Sequence, residues 1–219
     1  MKYSISSEEL FKYTCNQINS LYNDGRYISF EMLYKYSSDT LDRLSYCFKN
    51  IKKPYYFENG FSLFNHLHGD HYAMFLYLLS NTIWKVDKNE QLASKVFLLN
   101  KTLHGIDAFY SIELPKIFLF VHPVGSVLGN AKYSNHLVIY QNCSVGANEK
   151  LVYPTFKGET VLFSKSTVIG DCVIGSNTIF GANSFIINTD VQDNSVVVNS
   201  FPNHRILKND RNVLDIMFN

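Results

Sequence analysis

The chain has 219 residues, 46% hydrophobic and 18% charged, a globular composition with ample length to bury a core. Its formal net charge is +1, with no long block of one sign, which argues against a nucleic-acid binder or a reader of anionic membranes.

The first residues reach Glu8 and Glu9 before any apolar run of signal-peptide length, and the most apolar segments, Ala73 to Leu79 and Ile117 to Val121, are far shorter than the roughly 18 to 20 residues that span a bilayer. A soluble cytoplasmic protein with no integral membrane segment is expected. Cys15, Cys47, Cys143 and Cys172 are widely scattered and read as reduced, mostly buried thiols.

From Met1 to about Tyr110 the apolar residues recur at helical spacing. Ser6 and Glu9 form a capping box ahead of Leu10, Phe11, Ile18, Leu21 and Tyr22, with Gly25 as the stop. Leu41, Leu44, Phe48 and Ile51 mark a second helix, and Phe75, Leu78, Leu79 and Ile83 a third. In a fourth, Leu92, Val96, Leu99 and Leu103 lead to Gly105, a natural C-terminal cap. Tyr55, Tyr56, Phe57 and Trp84 are candidates to border an acceptor site, although core packing is the commoner fate of such residues.

Within this half, His66-Leu67-His68-Gly69-Asp70-His71 matches a dizinc hydrolase pattern, in which three imidazoles and a carboxylate bind metal. That pattern needs a strand leading into a ligand loop. Here a helix follows, so His68, Asp70 and His71 are read as its first turn, where an aspartate is electrostatically favourable, and no metal is expected.

After Pro115 the helical period gives way to a repeat of six. Leu162, Val168, Ile174, Phe180 and Ile186 are all apolar, while Ser166, Cys172, Thr178 and Ser184 are all small. Gly170, Gly175 and Gly181 follow apolar positions, and Val121 to Val127 and Ile139 to Val145 show the same step less regularly. A chain wound as a triangular prism satisfies such a repeat. One apolar residue per face points inward, small residues sit near the corners, and glycine relieves tight backbone. The fold expected is α+β in sequence order: an α-helical N-terminal domain over 1–111, a parallel β-helix over 112–207 and a C-terminal tail over 208–219.

The stretch Val168 to Ser184, Val-Ile-Gly-Asp-Cys-Val-Ile-Gly-Ser-Asn-Thr-Ile-Phe-Gly-Ala-Asn-Ser, resembles the hexapeptide repeat of left-handed β-helix acyltransferases. Phe120 to Gly146, with the loop through Tyr153-Pro154, resembles the serine acetyltransferase branch. His122-Pro-Val-Gly-Ser-Val-Leu-Gly129 and Tyr140-Gln-Asn-Cys-Ser-Val-Gly146 are similar to members associated with bacterial surface-polysaccharide O-acetylation. The resemblance covers residues 60–207. It implies left-handed winding, acetyl-CoA as acyl donor, a homotrimer or dimer of trimers, and active sites between neighbouring prisms.

Acetyl transfer to a hydroxyl needs a base near neutrality, and histidine suits that task. His122, in the His-Pro motif, and His136, roughly aligned with the family's Asp-His base, are both candidates. Gly146 and Ala147 are candidate oxyanion donors. Ser164, Gly181 and Ala182 would line a coenzyme groove, and Arg205 and Lys208 would meet its phosphates unless they are merely a solvated basic tail. Cys143 is read as an inward side chain, since direct transfer needs no enzyme nucleophile.

Three positions depart from the serine acetyltransferase pattern. Phe120 and Asn135 stand where aspartates are expected, and Val152-Tyr153-Pro154 replaces the Arg-His-Pro that holds an amino-acid carboxylate. Without charged partners a buried zwitterion is costly. Phe120, Asn135 and Tyr153 therefore suggest a neutral acceptor, a sugar hydroxyl of a surface polysaccharide or its precursor. Serine O-acetylation, N-acetylation of a sugar nucleotide and a non-catalytic scaffold remain as alternatives.

Overall fold

The computed structural model describes residues 1–219. Ser6 caps α1 (Ser7–Leu21) through both arms of the expected capping box: its hydroxyl accepts from Glu9 N, and Glu9 accepts from Ser6 N at 2.8 Å. The helix ends at Leu21, ahead of Gly25, which adopts φ +80° in the turn beyond. After a short α2 (Phe30–Tyr34), α3 (Ser37–Lys49) buries Leu41, Leu44, Cys47 and Phe48. A small sheet of β1 (Lys2–Tyr3), β2 (Phe57–Glu58) and β3 (Phe61–Phe64) precedes α4 (Gly69–Asp87), which is buried along most of its length. Helix α5 (Glu90–His104) stops at Gly105, left-handed at φ +64° as its position predicts. No helix is long and apolar enough to cross a membrane.

The second half is a left-handed parallel β-helix of about five turns. Face one stacks β5 (Phe118–Phe120), β7 (Leu137–Ile139), β10 (Thr160–Leu162), β13 (Thr178–Phe180) and β15 (Ser195–Val198). Face two stacks β4 (Asp107–Ala108), β6 (Val127–Leu128), β8 (Ser144–Gly146), β11 (Thr167–Ile169) and β14 (Phe185–Ile187). Face three has β9 (Thr155–Phe156) and β12 (Val173–Ile174), extended by bridges at Lys132 and Val191. An antiparallel β16 (Arg205–Lys208) closes the end of face one. The last residues form α6 (Val213–Met217), which returns to the helical unit: Lys52 N donates to Met217 O at 3.0 Å, and Asn219 N to Asn50 O at 2.9 Å.

The six-residue register is that of the prism interior. Leu162, Val168, Ile174, Phe180 and Ile186 are all fully buried, and the small set Ser166, Cys172, Thr178 and Ser184 is buried with them. Two sequence expectations change. Gly175 and Gly181 do not relieve backbone strain, since neither has a positive φ. They make room for the next coil: a Cβ at Gly175 would lie 2.5 Å from Asp193 N, and one at Gly181 would lie 3.3 Å from Val197 O. The left-handed corner residues are instead mostly asparagines, including Asn142, Asn177, Asn183, Asn194 and Asn199, whose short amides tolerate that conformation.

The second change concerns Val121 and Val127, which are not an inward pair. Register pairs Phe120 with Ile139 and Leu128 with Val145, so the first coil takes eight residues where Ile139 to Val145 takes six. The two extra residues form a bulged corner that contains His122.

Face one is apolar on its outer side too. Leu119, Val138 and Val161 are buried there. At the first coil the helical unit meets the end of the prism: Cys47 Sγ donates to Phe118 O at 3.1 Å on the free edge of β5, and the Tyr77 ring meets the inward Phe118 ring edge-on at 5.6 Å. Helices and prism share one continuous core. Phe180→Ala is expected to cost about 3 to 5 kcal/mol in urea denaturation, the usual toll of emptying a close-packed site. Gly175→Ala is expected to destabilise as well; a neutral result there would mean that adjacent coils separate easily.

Candidate active site

The corner between faces one and two runs as a column of stacked turns. It starts at His122 and rises through Tyr140, then Phe163 and Ser164, then Gly181 and Ala182, linked by Tyr140 N to Leu162 O, Phe163 N to Phe180 O and Gly181 N to Val197 O. Arg205, paired opposite Val198, stands at the top. Five strand spacings separate it from His122, about 24 Å.

His122 is left-handed at φ +48° and its side chain is 79% exposed, so the imidazole stands out from the corner. Behind it lies Asp70, in the first turn of α4 and only 8% exposed. Asp70 Oδ1 accepts from His122 N at 2.9 Å and lies 4.0 Å from His122 Nδ1. The first contact fixes the backbone of the bulge. The second is electrostatic, beyond hydrogen-bond reach, and would tighten to a bond with a small turn of the ring. With Nδ1 towards the carboxylate, Nε2 is left to face outward.

Burial raises the Asp70 carboxyl above the ordinary carboxylate range, opposed by the His122 N–H and by the nearby His122 and His68 imidazoles. Beside the pair is an aromatic cluster. The Tyr55 ring stacks on His68 at 5.4 Å, His68 on His71 at 4.2 Å, and Tyr140 meets Phe163 at 4.9 Å. Burial pushes His71 down to about 3, so it is neutral, and its Nδ1 accepts from Asn65 N at 3.1 Å. His68, Asp70 and His71 thus do occupy the start of a helix, and no group of three or more His, Cys, Asp or Glu side chains is arranged to share a metal ion.

The remaining candidates are distributed elsewhere. His136 sits at the corner between faces three and one, left-handed like Asn177 and Asn194 above it. Its ring meets Phe218 at 5.0 Å, and burial lowers its pKa against the pull of Glu159. Asn135 lies beside it, with Oδ1 accepting from Ile117 N at 3.2 Å, a corner-bracing role. Phe120 is fully buried with Phe118 at 5.0 Å, so its side chain cannot reach an acceptor.

Gly146 and Ala147 lie at the third corner, between faces two and three, where Gly170 N donates to Gly146 O at 3.0 Å. The Ala147 N–H has no acceptor within the chain. From that corner a loop carries the exposed Leu151, Val152 and Tyr153. Face two, from Gly125 to Gly129, keeps this corner about 13 Å from the His122 column at 3.3 Å per residue. Lys208 lies opposite Ser195, at the far edge of face one from Arg205, and pairs with Asp210 at 2.7 Å. Cys143 points inward, fully buried, with its Sγ 3.4 Å from Leu162 O, and burial raises its pKa. Of the aromatic candidates, Tyr55 is 48% exposed beside His68, whereas Tyr56 is buried and Trp84 packs on Tyr110.

Asp70 was missed as a partner of His122 because 52 residues separate them. Its signal was indirect. With Phe120 where an aspartate is expected, any carboxylate for His122 had to come from outside the repeat.

No family model matches the chain. Over 146 residues it is 23% identical to a serine acetyltransferase of Bacillus subtilis (strain 168), covering 65% of this chain and 66% of that enzyme, just under two thirds of its length. Among solved structures, a serine acetyltransferase in complex with cysteine superposes with a TM-score of 0.70 at 18% identity, over 93% of this chain and 82% of that one. Serine acetyltransferase from Brucella abortus strain S19 in complex with coenzyme A gives a TM-score of 0.70 at 14% identity, over 95% and 84%. These structures share the fold of helices followed by a β-solenoid.

Asp70→Asn keeps the oxygen that accepts from His122 N and removes a buried charge. A raised folded-state pKa means that the native chain binds the proton more tightly than the unfolded chain, so ionising Asp70 lowers stability as pH climbs past the ordinary carboxylate value. The variant is therefore expected to be as stable as the parent below about pH 3.9 and equally or more stable at pH 7, by urea midpoint. A loss of more than about 1 kcal/mol at pH 7 would identify the carboxylate as a structural anchor instead.

Proposed function

We propose that this chain is an acetyl-CoA-dependent O-acetyltransferase in which His122 is the general base and Asp70 its positioning partner. The observation that carries the reading is the exposed imidazole on a bulged corner, backed by a buried carboxylate, at the foot of a column that passes the Tyr140 and Phe163 rings to the small Ser164, Gly181 and Ala182. Ser164, Gly181 and Ala182 leave that column open to a pantetheine arm, and Arg205 stands about five coil spacings away, where a phosphate group would end. The residues thus fit the donor, and the coenzyme A complex of a structure with the same fold adds support.

In the proposed reaction, Nε2 of His122 takes the hydroxyl proton as the acceptor oxygen attacks the thioester carbonyl carbon. The anionic tetrahedral oxygen is held by backbone N–H groups, with the unpartnered Ala147 N–H as the first candidate. Collapse breaks the carbon–sulfur bond, and the imidazolium returns its proton to the departing thiolate. Asp70 stabilises that imidazolium and fixes the tautomer.

A single prism keeps His122 and Ala147 on separate edges. We therefore propose a homotrimer in which the Ala147 corner and the Leu151–Tyr153 loop of one protomer face the His122 column of the next, as the family resemblance implies.

Serine is the leading acceptor, because the relatives identified by sequence are serine acetyltransferases. A second reading, a sugar hydroxyl of a surface polysaccharide or its precursor, is favoured by one observation: Val152-Tyr153-Pro154 offers no cation for an amino-acid carboxylate. Incubation with acetyl-CoA and either L-serine or a panel of neutral sugars, followed by thiol release and product mass, separates the two. Failure to bind coenzyme A at all would favour a scaffold.

His122→Ala is expected to lower kcat by about 10² to 10⁴ without changing assembly or melting, while His136→Ala stays within a few-fold of the parent. The reverse pattern would overturn the assignment. Asp70→Asn is expected to lower kcat by about 10²-fold with little change in KM, and to shift the pH profile, a signature that a packing role would lack.

A further inference from the structure

A cavity of about 590 Å³ opens between α3, the second half of α4 and the segment from Glu113 to Lys116 that leads into β5, whereas Asp70 lies in the first turn of α4. Its volume lies in the range of small-molecule sites. At its wall is Arg43, part-buried and held rigidly. Its Nη1 donates to Leu78 O at 3.4 Å and Thr82 Oγ1 at 2.6 Å, and its Nη2 donates to Asn81 Oδ1 at 2.7 Å. Asn81 is itself fully buried and anchored by donating to Tyr110 O at 2.9 Å and Ile112 O at 3.2 Å.

All the partners of Arg43 are neutral, and none of the chain's ion pairs includes it. A buried guanidinium normally has a carboxylate, because desolvating a lone charge is costly. Three of its five N–H donors are used. Nε–H and one hydrogen on Nη2 remain, two donors on neighbouring nitrogens of the planar group that can serve the oxygens of a carboxylate or phosphate. Burial lowers the Arg43 pKa, opposed at longer range by Tyr77, Glu113 and Asp39, none of which forms an ion pair with it.

The rest of the lining selects the ligand. Lys85 is neutralised by Glu113 at 2.8 Å, whereas the exposed Lys116 has no ion pair and adds a second free positive charge. Asp42 on the rim opposes a dense polyanion. The Tyr46 ring, Leu78, Leu114 and Pro115 supply an apolar wall.

We propose that this cavity is a binding site for a small organic oxyanion, with its carboxylate or phosphate on the Arg43 fork and an apolar body against Tyr46 and Leu114. The site is separate from His122 and independent of the acetyl-transfer reading.

The test is calorimetric titration and thermal melting with inorganic phosphate, phenyl phosphate and benzoate, against sodium chloride at equal ionic strength. Phenyl phosphate or benzoate is expected to saturate one site with Kd below about 10 mM, tighter than inorganic phosphate; which of the two binds identifies the head group. Arg43→Lys, which keeps the charge but loses the fork, is expected to weaken binding about 10-fold or more. Lys116→Ala is expected to weaken it about 3-fold, and, being at an exposed position, it tests the site even if Arg43→Lys fails to fold. His122→Ala is expected to bind like the parent; lost binding there would place the anion at the acetyl-transfer site and overturn the proposal. No saturable binding by any probe, or unchanged binding when both Arg43→Lys and Lys116→Ala are folded, would overturn it too, as would unchanged binding by Lys116→Ala if Arg43→Lys does not fold.

Discussion

The width of the prism governs everything built on it. Three flat strands closed around one axis leave room for a single apolar side chain per face per coil, and the corner between them must reverse direction within a few residues. Both demands recur every six residues, so the inward Leu162, Val168, Ile174, Phe180 and Ile186 are locked in step with the small Ser166, Cys172, Thr178 and Ser184. Coils stack at the spacing of hydrogen-bonded strands, about 4.8 Å, which leaves no slack for a Cβ where Gly175 passes beneath Asp193. Such a scaffold is rigid because each coil is templated by its neighbours.

A rigid period gains chemical use where it is broken. The first coil takes eight residues between inward positions, and the surplus puts His122 into the left-handed region with its ring in solvent. An isolated bulge of this kind would be mobile. It is held by Asp70, which belongs to α4, and α4 is positioned by packing against the first coil, through Tyr77 on the inward rings of Phe118 and Phe120 and Tyr77 Oη donating to Ile112 O at 2.7 Å. The apolar floor of the first coil therefore does more than stabilise. It registers the helical unit on the prism so that a carboxylate, buried against the pull of desolvation, meets the imidazole.

The sequence is most informative where physics repeats. Four helices, the capping box, the Gly105 stop and the six-residue stack could all be read because each depends on residues a few positions apart. The corner asparagines escaped notice because their role is conformational and no spacing rule singles them out. Of the repeat glycines, Gly170 uses the conformational freedom expected of it, at φ +84°, whereas Gly175 and Gly181 do not, since close approach of a neighbouring coil leaves the same residue in the sequence as a strained turn does. The His-Pro motif draws attention to His122, whereas its contact with Asp70 leaves no mark in the sequence, because it depends on how two elements dock. Phe120 illustrates the reverse failure: a motif position suggested a binding role, while the two-residue alternation of its strand turns the ring into the core.

Charge accounting separates the two acceptors. An amino acid brings a carboxylate and an ammonium, and each must find a partner or stay hydrated. Asp70 is committed to the backbone and ring of His122, and Tyr153 brings a phenol where a cation would be needed. Within one prism, then, no free pair of opposite charges lies beside the imidazole, and Arg205 is about 24 Å away by coil spacing. A zwitterionic acceptor thus requires that a neighbouring protomer contribute charge across the face-two edge, or that the ligand keep its charged end in water while only its hydroxyl enters. A neutral polyol makes neither demand, and under the second proposed reading the exposed Tyr55 ring, whose other face stacks on His68, would be the flat apolar surface for it. In the proposed reaction the identity of the acceptor would therefore be tied to assembly: the charges on the surface facing the His122 column would decide which hydroxyl could be brought to Nε2.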